Sequence, residues 1–78
     1  MQTRIATFNG DCYAIDDNGH AKYKIISYRI NSNEVINNGD GTYSIPSIKN
    51  PKDSYLAYTR DTPKLYMYDE EKQKWLKQ

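Results

Sequence analysis

Short stretches of alternating apolar and polar side chains, interrupted every few residues by Asn, Asp, Gly or Pro, run from Arg4 to Lys77. A period of two is the signature of half-buried strands. The pattern predicts strands over Arg4 to Asn9 and Cys12 to Ile15, and a long one from Ala21 to Ile30. Shorter strands follow at Glu34 to Ile36 and Thr42 to Ile45, and a last unit reads Tyr55 to Thr59, Lys64 to Tyr68 and Lys74 to Lys77. Within the long strand, Ile26, Tyr28 and Ile30 share one face and Tyr23 and Ile25 the other.

The interruptions carry turn chemistry. Asp16-Asp17-Asn18-Gly19 supplies side chains that bond their own backbone and a glycine that accepts positive φ. With Asp16 facing His20 around a three-residue loop, Tyr13 falls opposite Tyr23. Asn31-Ser32-Asn33, Asn37 to Gly41, Arg60 to Pro63 and Asp69-Glu70-Glu71 supply the other turns. Pro46 stops its strand or puts it on an edge. Ser47 to Asp53, with Pro51 inside it, is irregular and is expected to wrap over the sheet. The expected fold is all-β: a small barrel or a twisted antiparallel meander of six to eight short strands, in one domain over residues 1–78, with no helix longer than about two turns.

Composition supports this. Ile, Val, Thr, Tyr, Phe and Trp make up 24 residues, against 12 of Ala, Leu, Glu and Met, and the first group suits a pleated surface. A chain of 78 residues buries only about 60% of the surface that its unfolded form exposes. The core is therefore thin. The single cysteine, Cys12, excludes an internal disulfide and any multi-thiolate metal site. Oligomerisation or incorporation into a larger assembly is the remaining way to supplement such a core.

Charge and motifs narrow the chemistry. Eleven Lys and Arg against ten Asp and Glu leave a net charge of +1, so no field gathers nucleic acid or anionic lipid. No apolar stretch follows Arg4 as in a signal peptide, and no run approaches the roughly 20 apolar residues of a membrane span. Synthesis in a cytoplasm and no membrane association are expected. A nucleophilic pair of Cys12 and His20 would have to lie within hydrogen-bond reach, but the expected hairpin separates them by roughly 13 Å. His20 reads as an exposed turn residue and Cys12 as a small half-buried apolar group. Neither Asp- and Asn-rich turn has the closing glutamate of a calcium loop. No catalytic residue, metal or cofactor is expected.

The tyrosines are the unusual feature. Tyr66 and Tyr68 alternate with Leu65 and Met67, giving one strand large side chains on both faces. Either both faces are covered inside a compact barrel, or a tyrosine-rich face meets a partner, as tyrosine does at interfaces. The candidate partner-binding residues are Tyr58, Tyr66, Tyr68 and Trp75. Stacking of single-stranded nucleic acid on these rings requires a basic groove, and Arg29, Arg60 and scattered lysines do not form one.

The stretch Ser54-Tyr55-Leu56-Ala57-Tyr58-Thr59, then Lys64-Leu65-Tyr66-Met67-Tyr68-Asp69 and Trp75, resembles short proteins from the structural-gene cassettes of phages infecting Gram-positive bacteria. The resemblance covers about the last third of the chain, and Arg60 and Pro63 depart from the small-residue turn usual there. It implies a non-enzymatic virion component of the head-decoration, fibre-base or tail-adaptor type, made in the host cytoplasm, self-associating and packing against other virion subunits. The alternative is a phage- or mobile-element-encoded inhibitor that binds a host protein through its tyrosine face.

Overall fold

A computed structural model describes residues 4–78. Among these residues nine strands run in order: β1 (Arg4–Phe8), β2 (Asp11–Ile15), β3 (Ala21–Lys24), β4 (Ser27–Ile30), β5 (Ile36–Asn37), β6 (Tyr43–Ser44), β7 (Leu56–Thr59), β8 (Lys64–Asp69) and β9 (Lys74–Lys77). They form a three-stranded sheet, β1-β2-β3, and a six-stranded sheet ordered β4-β7-β8-β9-β6-β5. The chain is all-β, and no helix among the described residues is long and apolar enough to cross a membrane.

The count exceeds the expected six to eight because the long strand from Ala21 to Ile30 is two strands. Its bend falls between adjacent residues. The Ile25 N–H donates to the Cys12 carbonyl at 2.8 Å, completing the ladder with β2, while the Ile26 carbonyl accepts from the Leu56 N–H at 3.0 Å, opening the ladder with β7. One strand thus turns a corner from one sheet into the next. The bend also changes parity. Tyr23, Ile25, Tyr28 and Ile30 all point into the core region while Ile26 is exposed, whereas unbroken alternation would have placed Ile26 with Tyr28 and Ile30.

The β2–β3 hairpin has the expected three-residue loop, with the Asp16 N–H donating to the His20 carbonyl at 2.9 Å. Beyond it, Ile15 pairs with Ala21 and Ala14 with Tyr23, which leaves Lys22 as an extra, bulged residue. Tyr13 consequently sits opposite Lys24 rather than Tyr23. Its ring contact is with Phe8 on β1, at a centroid distance of 5.9 Å.

The six-stranded sheet contains one parallel pair, β4 with β7, among antiparallel ones. Residues 31–35 join β4 to β5, which stand at its opposite edges. An extended connection of that length reaches about 20 Å at about 3.3–3.6 Å per residue, and a 3₁₀ turn over Ser32–Glu34 shortens it. Six strands laid flat would hold those edges about 24 Å apart. The sheet must curl, and it forms a half-barrel.

The core lies in the concave side of this half-barrel. Trp75, Tyr66, Ala57 and Ile30 come from the sheet, and Ala14 and Ile25 come from the small sheet and the corner. Residues 45–55 return from β6 to β7 and pass β9 and β8 on the way. This irregular stretch wraps over the sheet as expected and adds Ile45 and Ile48 to the same cluster. At the junction of the sheets the Tyr23 hydroxyl donates to the Asp53 carbonyl at 2.8 Å, and the Tyr55 ring lies 6.2 Å from both Tyr23 and Tyr28.

Candidate interaction surface

Cross-strand register sorts the side chains of the half-barrel into two faces. Tyr28 pairs with Ala57, Ala57 with Tyr66, and Tyr68 with Trp75, and these residues point inward. The other parity builds two outward rows. One runs Ser27, Leu56, Met67, Leu76, and the other Arg29, Tyr58, Leu65. Both faces of β8 and the outer face of β7 therefore carry large apolar groups, but only the inner face is filled by the fold. On the outer face Tyr58 is 39% and Leu65 38% exposed. A shallow groove of about 350 Å³, lined by Ser27, Tyr28, Arg29, Leu56, Tyr58 and Leu65, opens there.

The four residues named from the sequence are thereby divided. Tyr58 lies on the outer face. Tyr66 and Trp75 are 4% and 2% exposed and belong to the core, so in this fold they form no part of a surface. Tyr68 is half-buried with its ring 5.0 Å from that of Trp75. Tyr66 meets Tyr43 edge-on, also at 5.0 Å, and burial pushes its hydroxyl above the usual tyrosine pKa. The reason for the choice of face is steric. Ala57 sits opposite Tyr66, and this small residue leaves room for the ring to lie over β7. On the other parity Tyr58 opposes Leu65, and two large side chains crowd outward. Leu56, Leu65, Met67, Leu76 and Arg29 were not picked out from the sequence. The signal lay in the loop length, since four residues between Thr59 and Lys64 put Tyr58 and Tyr66 on opposite faces.

The small sheet shows a second apolar exposure, with Ile5 48% and Phe8 53% exposed. None of the β1 side chains is fully buried. The radius of gyration of 12.9 Å exceeds the roughly 11.5 Å of a compact chain of this length, in keeping with so thinly covered a strand.

The groups considered for catalysis are kept apart. Cys12 is exposed rather than half-buried, because the packing that buries Ala14 further along β2 does not reach it, and its Sγ lies 3.9 Å from the Thr7 hydroxyl. His20 sits at the loop end beside Asp16, with Nδ1 3.9 Å from Oδ2. The strand from Cys12 to Asp16 puts roughly 13 Å between the two. The acidic side chains serve turns. Asp16 Oδ1 accepts from the Asn18 and His20 N–H groups, each at 2.9 Å. Asp40 accepts from the Thr42 hydroxyl and N–H, bonds that hold its carboxyl below the usual range. Asp53 and Glu70 accept from each other's N–H groups, at 3.0 and 3.2 Å. Among the described residues no group of three or more His, Cys, Asp or Glu is placed to hold a metal ion.

Comparison with known protein families, curated proteins and solved structures finds no match to this chain. The outer face of the half-barrel is the feature from which a role can be argued.

Proposed function

We propose that the chain is a small non-enzymatic subunit that works by packing against other proteins in an assembly of the virion structural type. One observation carries this reading: Tyr58 and Leu65 form an exposed cross-strand pair at the centre of an outer sheet face whose opposite face is already filled. A small chain without a disulfide gains most from covering such a face, and exposed contiguous apolar patches on small domains mark interaction sites. The resemblance of the last third to phage structural-cassette proteins supports the virion setting. Tyr58 remains in the binding role, joined by Leu65, with Leu56, Met67 and Leu76 beside them.

Mass spectrometry of purified particles and sedimentation over micromolar to millimolar concentrations test the proposal together. The wild type should self-associate or be present in particles. Tyr58→Ser with Leu65→Ser should abolish that behaviour while leaving the circular dichroism unchanged. A chain that stays monomeric throughout and is absent from particles overturns the subunit reading. The inhibitor reading then takes its place, favoured by Arg29, a cation with no ion-pair partner among the described residues, beside the groove.

A further inference from the structure

The groove ends at an open sheet edge. Among the described residues β4 is the outermost strand and pairs only with β7. In this parallel ladder the Ile26 carbonyl accepts from the Leu56 N–H and the Ile30 carbonyl from the Arg60 N–H, so the even-numbered residues of β4 face β7. The N–H and C=O groups of Ser27 and Arg29 consequently point the other way, and both residues are exposed. Two donors and two acceptors in strand geometry form a template for another extended chain. The recognition chemistry beside them is the Arg29 guanidinium, without an ion-pair partner among the described residues, and an apolar wall of Leu56, Tyr58 and Leu65.

We infer that the β4 edge receives an extended segment of a different protein, which adds a strand beside Ser27 and Arg29 and carries an acidic side chain for Arg29 and an apolar one for the groove. This rests on the packing role proposed above and names the kind of partner. Charge argues against a second copy as the occupant. Two-fold pairing of β4 with itself must run antiparallel. If it centres on Arg29, the two guanidiniums stand directly opposite, and like charges there are destabilising. If it sets Ser27 against Arg29, they remain diagonal neighbours about 7–8 Å apart on one face. A carboxylate from another chain removes this repulsion and supplies a partner that the described residues do not give Arg29, in a bidentate geometry suited to guanidinium.

The test uses a blocked peptide of about eight residues, a length typical of strands, with valine and threonine alternating with an outward face of glutamate flanked by leucine. A second version replaces glutamate with lysine, and a third is N-methylated at alternate amides to remove its ladder bonds. Amide NMR titration of the whole chain reads both site and affinity. The glutamate peptide should slow hydrogen exchange at the Ser27 and Arg29 amides, and the lysine and N-methylated versions should bind at least about tenfold more weakly. In Arg29→Glu, an exposed substitution, the preference should invert toward the lysine peptide. Equal binding of the glutamate and lysine peptides, shifts located away from β4, or no binding at all overturns the inference. So does protection of the Ser27 and Arg29 amides without peptide as the chain is concentrated, which would place a second copy at the edge. Assembly through Tyr58 and Leu65 by a chain that ignores the peptide defeats the edge assignment alone. Peptide capture by a chain that never assembles supports the edge and defeats the packing role.

Discussion

Asp61 accepts two hydrogen bonds from Ser32, one from its N–H at 2.9 Å and one from its hydroxyl at 2.5 Å. These bonds tie the connection that spans the mouth of the half-barrel to the turn between β7 and β8. The same connection is closed on itself by Asn31 and Glu34, with the Asn31 N–H donating to Glu34 Oε2 at 2.8 Å. The short crossing that requires the sheet to curl is thus anchored at its first turn.

The Ser32 hydroxyl and then its N–H hold the Asp61 carboxyl below the usual range. A lowered carboxylate pKa contributes stability that is present above the unfolded-state value and is lost as pH falls through the folded one. Wild type should therefore lose protection at the Ser32 amide on acidification below the normal aspartate range. Asp61→Asn should have fast exchange there at neutral pH and a flatter acid limb. An unchanged Ser32 exchange rate in the variant would show that the clamp does not hold the connection.

Thr59 is fully buried. Its hydroxyl donates to the Thr62 carbonyl and accepts from the Lys64 N–H at 3.0 Å, organising the β7–β8 turn from beneath. Thr59→Val keeps the shape and strands both partners, a loss of about 1–3 kcal/mol. Urea denaturation should show a lower midpoint with an unchanged slope, and a midpoint equal to wild type contradicts this account.

Core and surface aromatic residues should separate cleanly. Trp75→Ala removes a large buried ring at about 3–5 kcal/mol, against a total stability of about 4–12 kcal/mol for a chain of this size. It should remove a large share of that stability and lower the melting temperature the most, with Tyr66→Ala close behind. Tyr58→Ser should stay within about 0.5 kcal/mol of wild type. Thermal melts of the three variants check the ordering.

Alkaline pH should unfold the chain through its tyrosines. Burial first, then Asp53 and Glu70, push the Tyr23 hydroxyl up to about 12, and Tyr66 and Tyr68 are raised as well, chiefly by burial. A raised tyrosine pKa contributes stability that is complete below the unfolded value near 10 and disappears as pH rises through the folded one. Stability should fall between pH about 10 and 12. Tyr23→Phe should flatten the decline at the cost of the bond to Asp53, and an unaltered alkaline limb would assign it elsewhere.

The chain has three Asn-Gly pairs, at Asn9, Asn18 and Asn38, and the structure protects two. The Gly19 N–H donates to the Asp16 carbonyl at 3.0 Å. The Gly39 N–H donates to Asn37 Oδ1 at 2.8 Å, while Thr42 and Ser44 hold the Asn38 carboxamide. Asn9 and Gly10 form a tight turn, both at positive φ, without such restraints among the described residues. Attack of the Gly10 nitrogen on the Asn9 side-chain carbonyl, with loss of ammonia and hydrolysis of the ring, should convert Asn9 first on ageing. Peptide mapping checks this, and earlier conversion of Asn18 or Asn38 contradicts it.

The local parts of this fold were legible in the residues. The loop joining Asp16 to His20, the strand Lys74–Lys77 and the irregular cover over the sheet follow from alternation and turn chemistry, which act between near neighbours. The Asn9-Gly10 turn was also readable, since both of its residues accept positive φ, although the first strand was drawn through Asn9.

The candidate surface was less so. Alternation in Leu65, Tyr66, Met67 and Tyr68 states that the strand has two faces, and a period of two is blind to which one turns inward. That choice was made by Ala57 opposite Tyr66 and by the ring of Trp75 beside Tyr68, contacts between strands that no single stretch of chain contains. Likewise the bend at Ile25 and Ile26, the parallel pairing of β4 with β7 and the curl spanned by residues 31–35 depend on where distant segments dock. The sequence by itself determined strands, turns and a two-faced C-terminal hairpin, because these depend on neighbouring residues. Tertiary structure alone decided that Tyr66 and Trp75 fill the core while Tyr58 and Leu65 face outward, because only packing across strands can compare the two faces and bury the one that fits.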